Sequence, residues 1–126
     1  LRINPMPMIL QEDSLRIADF TGDFVMLHFW SVWSDKSQLM LNEIEADSRA
    51  DTLKLIKAMV KEDIKNFKPE EGSRSDRYVD GTDLYNRIRT PGLPSYLLFS
   101  PEGEIISIGV GYAEGAISDT LRKYIR

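Results

Sequence analysis

His28, Ser34, Asp35 and Ser37 lie within a ten-residue span and carry an imidazole, a carboxylate and two hydroxyls. A hydrolytic serine needs a base to take its proton. His28 is the single histidine of the chain. It sits upstream in an apolar run, where a neutral ring packed between sheet and helix is expected. Asp35 is adjacent to Ser34 in sequence but does not replace a histidine base. Ser34 reads instead as a helix N-cap, with Asp35 favourable in the first turn and Ser37 supporting it from the third helical position.

Other chemistries are poorly served. The chain contains no cysteine, so it has no disulfide, no thiolate nucleophile and no thiolate metal ligand. One histidine leaves carboxylates as the remaining metal donors, and Asp76, Asp80 and Asp83 do not follow a calcium-loop pattern. Gly109-Val110-Gly111 lacks the fuller glycine pattern of a nucleotide site and reads as a strand-to-helix bend. No cofactor or metal is expected. A net charge of -4 without a long basic block disfavours nucleic acid. The apolar runs fall short of the roughly 18 residues of a membrane span. No signal peptide is visible at Leu1, and a chain starting there also fits a mature or trimmed form.

The 126 residues suit one domain, 1–126. Met8 to Leu10 and Leu15 to Ile17 read as a small N-terminal hairpin. Phe24 to Trp30 is the strongest strand, apolar on both alternating faces and therefore interior. From Ser34 the period becomes helical, with Leu39, Met40, Ile44 and Leu41 as the inner stripe, fading near Asp47 to Asp51. Thr52 to Val60 reads as a strand and Glu62 to Phe67 as a short helix. Residues 66–80, rich in charge, glycine and serine, read as a mobile loop or insertion. A helix is expected within Gly81 to Arg89, then a rigid turn from Thr90 to Pro94. Ser95 to Phe99 and Ile105 to Ile108 form a hairpin across Ser100 to Glu104. A last helix spans about Ala113 to Ile125, with Ile117, Leu121, Tyr124 and Ile125 inward.

This order resembles the thioredoxin-like superfamily, and within it the TlpA/ResA-like branch of thiol–disulfide oxidoreductases. Leu15 to Trp30 resembles the lead-in hairpin strand, glycine-containing connector and central strand. Trp33 takes the place of the tryptophan before the redox motif, and Ser34 and Ser37 fall on its two cysteines. Glu43 falls near a polar helix position common in the branch. Leu93-Pro94 matches the residue pair, with a cis proline, that faces the redox motif, and Tyr96 to Ile106 resembles the strand–turn–strand that follows. The resemblance covers most of residues 9–125 and is loosest between Thr52 and Arg89.

The resemblance implies an α/β thioredoxin-like fold, a central mixed β-sheet flanked by helices with an N-terminal β-hairpin. It also implies a site from which the redox pair is missing. Disulfide exchange needs an attacking thiolate and a resolving thiol; a serine pair offers neither, and a cysteine peroxidase role fails with it. A surface for a protein or peptide partner is what the resemblance leaves, formed by Trp33, Asp35, Lys36, Leu93 and Pro94. A redox-inactive binding or structural module and a family oxidoreductase with cysteines engineered to serine both fit these positions. The branch implies a periplasmic or membrane-associated setting after signal removal, with a cytoplasmic one left open by the residues. Oligomeric state is not legible.

Overall fold

The computed structural model describes residues 3–9, 13–31, 34–60, 64, 78–88 and 92–125. Its frame is a five-stranded sheet in the order β5-β4-β3-β6-β7. β3 (Phe24–Phe29) is central. It pairs in parallel with β4 (Leu53–Met59) and antiparallel with β6 (Ser95–Phe99). β5 (Tyr78–Asp80) extends the sheet in parallel beyond β4, and β7 (Ile105–Val110) closes the other side antiparallel to β6. A separate antiparallel hairpin, β1 (Met6–Pro7) and β2 (Ser14–Leu15), precedes them.

Both faces of the sheet are covered, which is why β3 reads as a continuous apolar run. On one face Val25, Leu27 and Phe29 pack with Met6 and Leu15 of the hairpin and with Leu84 of α2 (Thr82–Ile88). On the other, Met26 packs with Met40 and Ile44 of α1 (Asp35–Ala46) and with Ile117 and Leu121 of α3 (Ala116–Tyr124). Each of these fully buried side chains is worth roughly 1.5–3 kcal/mol of transfer free energy.

Several boundaries differ from the sequence reading. The hairpin pairs Met6 with Leu15, earlier than Met8 to Leu10. Ile17 enters a 3-10 turn, Ile17–Phe20, rather than a strand, and the Asp19 carboxylate accepts from the Arg16 N–H to close that turn. Leu39, expected inward on α1, is 47% exposed. The buried stripe is Ser37, Met40, Leu41 and Ile44, so the small polar Ser37 takes the position that apolar content alone assigned elsewhere. The expected helix at Glu62 to Phe67 lies outside the described residues apart from Ile64, as does the 66–80 excursion through Arg77. Its last three residues are strand β5. There Tyr78 and Val79 are buried, and the Asp80 carboxylate caps α2 through the Thr82 N–H at 3.0 Å.

α3 begins without a cap of its own. Gly115, at φ +83, stands at its N-cap with no side chain to offer. Glu43 of α1 supplies what is missing. One oxygen of its carboxylate accepts from the Gly115 N–H at 2.9 Å and the Tyr112 hydroxyl at 3.2 Å. The other accepts from the Ser118 N–H at 3.1 Å and its hydroxyl at 3.3 Å. Burial alone would raise the Glu43 pKa, but the hydrogen bonds from Gly115, Ser118 and Tyr112 outweigh it and hold the carboxyl below its ordinary value. Glu43→Ala is expected to lower unfolding free energy by about 2 kcal/mol in urea titrations at pH 7, and Glu43→Gln by about half as much. Equal stability of Glu43→Ala and the parent would remove this cap from the account.

Candidate functional site

The end of β3 runs directly into the turn that starts α1. The Ser34 side chain accepts from the Ser37 N–H at 3.2 Å, and the Ser34 carbonyl receives the Ser37 and Gln38 N–H groups at 3.1 and 3.3 Å. The Ser37 hydroxyl is fully buried and accepts from the Ser31 N–H at 3.3 Å. The two serines therefore lock strand end, turn and helix start together: Ser34 caps the helix, and Ser37 ties the helix back to the chain entering it. Asp35 and Lys36, between them, are exposed. Trp33 lies outside the described residues.

The register of the sheet brings a second segment to this end. Phe29 pairs with Ser95 across the antiparallel β3–β6 ladder, so the residues before Ser95 run alongside the residues after Phe29. Leu93 is half-buried and Pro94 buried, and the peptide bond joining them is cis. A third segment joins through the Gly111 N–H, which donates to the Pro94 carbonyl at 2.8 Å. Just behind it, Gly109 leaves room for the Tyr96 ring, which a Cβ at that position would overlap. A cavity of about 240 Å³ opens beside this segment, with Met40, Tyr96, Tyr112 and Ile117 among its lining residues. Sequence reading gave Glu43 a weak family match and Gly109 a bend; their structural roles are carried by contacts across the fold. The detectable signal was an α3 start with glycine where a capping side chain is usual.

His28 is not part of an open site. It is 0% exposed, and neither ring nitrogen has a hydrogen-bond partner among the described residues. Its in-register neighbours are Lys57 on β4 and Tyr96 on β6. Tyr96 turns its hydroxyl to Thr120 Oγ1 at 3.3 Å, and Lys57 turns its ammonium to the Tyr78 hydroxyl at 3.4 Å and Glu45 at 3.8 Å. Desolvation, reinforced by the charge on Lys57, pushes His28 down to about 3. A ring so placed is neutral and reaches no substrate from solvent, so it is no base for Ser34. Among the described residues, no group of acidic or histidine side chains is arranged to hold a metal ion.

These elements match solved structures along nearly their whole length. An exposed lipoprotein thioredoxin from Streptococcus pneumoniae superposes with a TM-score of 0.68 at 19% identity, covering 95% of this chain and 98% of the other. The thioredoxin domain of a thiol–disulfide oxidoreductase from Bacteroides vulgatus gives 0.67 at 20% identity, covering 93% and 89%. A secreted disulfide oxidoreductase from Mycobacterium tuberculosis gives 0.70 at 11% identity, covering 95% of each chain. The fold is thioredoxin-like. No protein-family model and no curated protein matches the chain. In this thioredoxin-like fold the absence of cysteine removes thiol–disulfide exchange and cysteine-based peroxidase chemistry from the chain's repertoire.

The buried imidazole sets an acid limit on the corner. Its folded pKa lies below its ordinary 6.5, so the folded state binds fewer protons than the unfolded one. Its contribution is full above pH 6.5 and declines as pH falls toward 3. Between pH 6.5 and 5 the chain is expected to lose about 2 kcal/mol of unfolding free energy, and His28→Phe is expected to flatten that interval. Glu43 and Asp47, whose carboxyls are held below their ordinary values, act at lower pH. Urea midpoints across this range check the slope; an unchanged slope in His28→Phe would contradict the assignment to His28.

Proposed function

We infer that this chain is a redox-silent binding module of the TlpA/ResA-like branch that holds an extended protein or peptide segment. The proposed groove lies between the α1 start at Asp35 and Lys36 and the segment of Leu93 and Pro94. The observation that carries the reading is the convergence of three segments at one sheet end, around a helix start whose inward hydroxyls are already used. Ser34 accepts from the Ser37 N–H and Ser37 from the Ser31 N–H, so both hydroxyl oxygens are engaged within the corner. What faces outward is a mixed surface of one acid, one base and the half-buried Leu93. Such a surface suits an extended segment with an apolar side chain at its centre. The descriptions of two similar structures as an exposed lipoprotein and a secreted protein support an extracytoplasmic setting.

The test uses an unfolded, thiol-free probe: reduced, carboxymethylated α-lactalbumin titrated into the labelled chain and followed by amide chemical shifts. Shifts are expected at Asp35, Lys36, Leu93 and Ser95. Leu93→Asp should weaken binding about tenfold, equivalent to about 1.4 kcal/mol. Saturable shifts confined to another face, or none at about 1 mM probe, would sink the groove.

A further inference from the structure

The cavity of about 240 Å³ beside Gly111 lies where α1, β6 and the start of α3 meet. Met40 comes from α1, Tyr96 from β6, and Tyr112, Ala116 and Ile117 from the chain entering and starting α3. None of its described lining residues is charged. Its hydroxyl hydrogens are already engaged. The Thr120 hydroxyl donates to the Ala116 carbonyl at 3.1 Å, and the Tyr96 hydroxyl donates to Thr120 Oγ1 at 3.3 Å. Having given its one hydrogen to Thr120, Tyr96 receives the Ser107 hydroxyl at 3.2 Å. The Tyr112 hydroxyl donates to Glu43 at 3.2 Å. What the cavity offers is therefore two fixed rings, a thioether and aliphatic surface. Ala113 and Ala116, which also line it, are exposed, so it opens to solvent on their side. Leu39 lies four residues before Glu43 and so on the same face of α1, where it is 47% exposed. It adds apolar surface on the side of α1 that Glu43 ties to α3.

We propose that this cavity is a side-chain pocket of the binding module and that its occupant is an uncharged aromatic side chain of the extended segment, an inference that rests on the groove at Leu93 and Pro94. Continuity identifies the occupant. Gly111 lines the cavity, and its N–H holds the Pro94 carbonyl at 2.8 Å, so one hydrogen bond separates the cavity wall from the groove. Size fits a ring. An apolar cavity of about 150 Å³ admits benzene, and this one is larger. The wall favours a ring over an aliphatic chain, because Tyr96 and Tyr112 offer edge and face contacts and Met40 a sulfur that packs well on aromatics. A charged side chain would give up water for a wall with no counter-charge among the described residues. The space also holds its shape. The Tyr96 ring is seated against Gly109, where a Cβ would overlap it, and the Thr120 and Ser107 bonds hold its far end.

The test titrates the full chain, labelled at backbone amides and methionine methyls, with two capped pentapeptides. One has leucine second, phenylalanine fourth and serine elsewhere; the other carries alanine fourth. The phenylalanine peptide should shift the Met40 methyl and the Gly111 and Tyr112 amides together with Asp35, Lys36 and Leu93. The alanine peptide should keep the groove shifts, leave Met40 unmoved and bind about tenfold more weakly. Ala116→Leu, at an exposed helical position, should keep the parent's thermal midpoint and bind both peptides alike. Groove shifts with an unmoved Met40 methyl, a preference for phenylalanine under about twofold, or an Ala116→Leu chain that keeps the parent's preference would each overturn the pocket and leave the groove standing. A Met40 shift with Leu93 unmoved, or no shift at about 5 mM peptide, would overturn the groove and the pocket with it.

Discussion

β3 must be paired on both edges and buried on both faces, and the rest of the molecule depends on that constraint. Val25, Met26, Leu27, His28 and Phe29 are all essentially without solvent contact. A strand of this kind needs β4 on one side, β6 on the other, and separate covering layers above and below. Because β4 is parallel to it, the chain must cross over between them, and α1 is that crossover. The corner where β3 becomes α1 is therefore set by the sheet. The Ser34 and Ser37 hydrogen bonds then fix its local geometry.

This constraint accounts for the division between what was legible in the sequence and what was not. β3, β6 and the start of α1 were legible because an apolar run, a capping serine and an acidic first turn agree locally. Leu39 was assigned inward because helical period counts apolarity, whereas the sheet surface admitted Ser37 on the buried stripe and left Leu39 in water. β5 was read as part of a polar excursion. Three residues following a charged stretch carry too little periodicity to announce a strand, and Tyr78 and Val79 are fixed by pairing with β4. The Glu43 cap depends on residues roughly seventy positions apart meeting in the fold, which no local pattern encodes.

The same corner separates scaffold from chemistry. A helix N-terminus with unpaired N–H groups favours an anion and, in a thiol enzyme, stabilises a thiolate. Here a neutral hydroxyl occupies that place and is used as a cap, while a second hydroxyl ties the helix to the strand end. Behind them, the Glu43 clamp joins α1 to the start of α3, and the buried neutral imidazole of His28 makes no hydrogen bond among the described residues. The Ser34 and Ser37 hydroxyls thus contribute to geometry, and Asp35 and Lys36 stay exposed beside them.

The central claim is that Ser34 and Ser37 hold the strand–helix corner of a thioredoxin-like fold and that the chain, having no cysteine, has no thiol–disulfide activity; we propose that these two positions are those of the missing redox pair. The most direct measurement is insulin reduction by the parent and by the double variant Ser34→Cys/Ser37→Cys, together with thiol counting before and after oxidation. The account predicts no turnover by the parent, an intramolecular disulfide between positions 34 and 37 in the oxidised variant, and catalytic reduction by its dithiol form. Turnover by the parent, or a folded variant whose two thiols fail to form that disulfide, would contradict it.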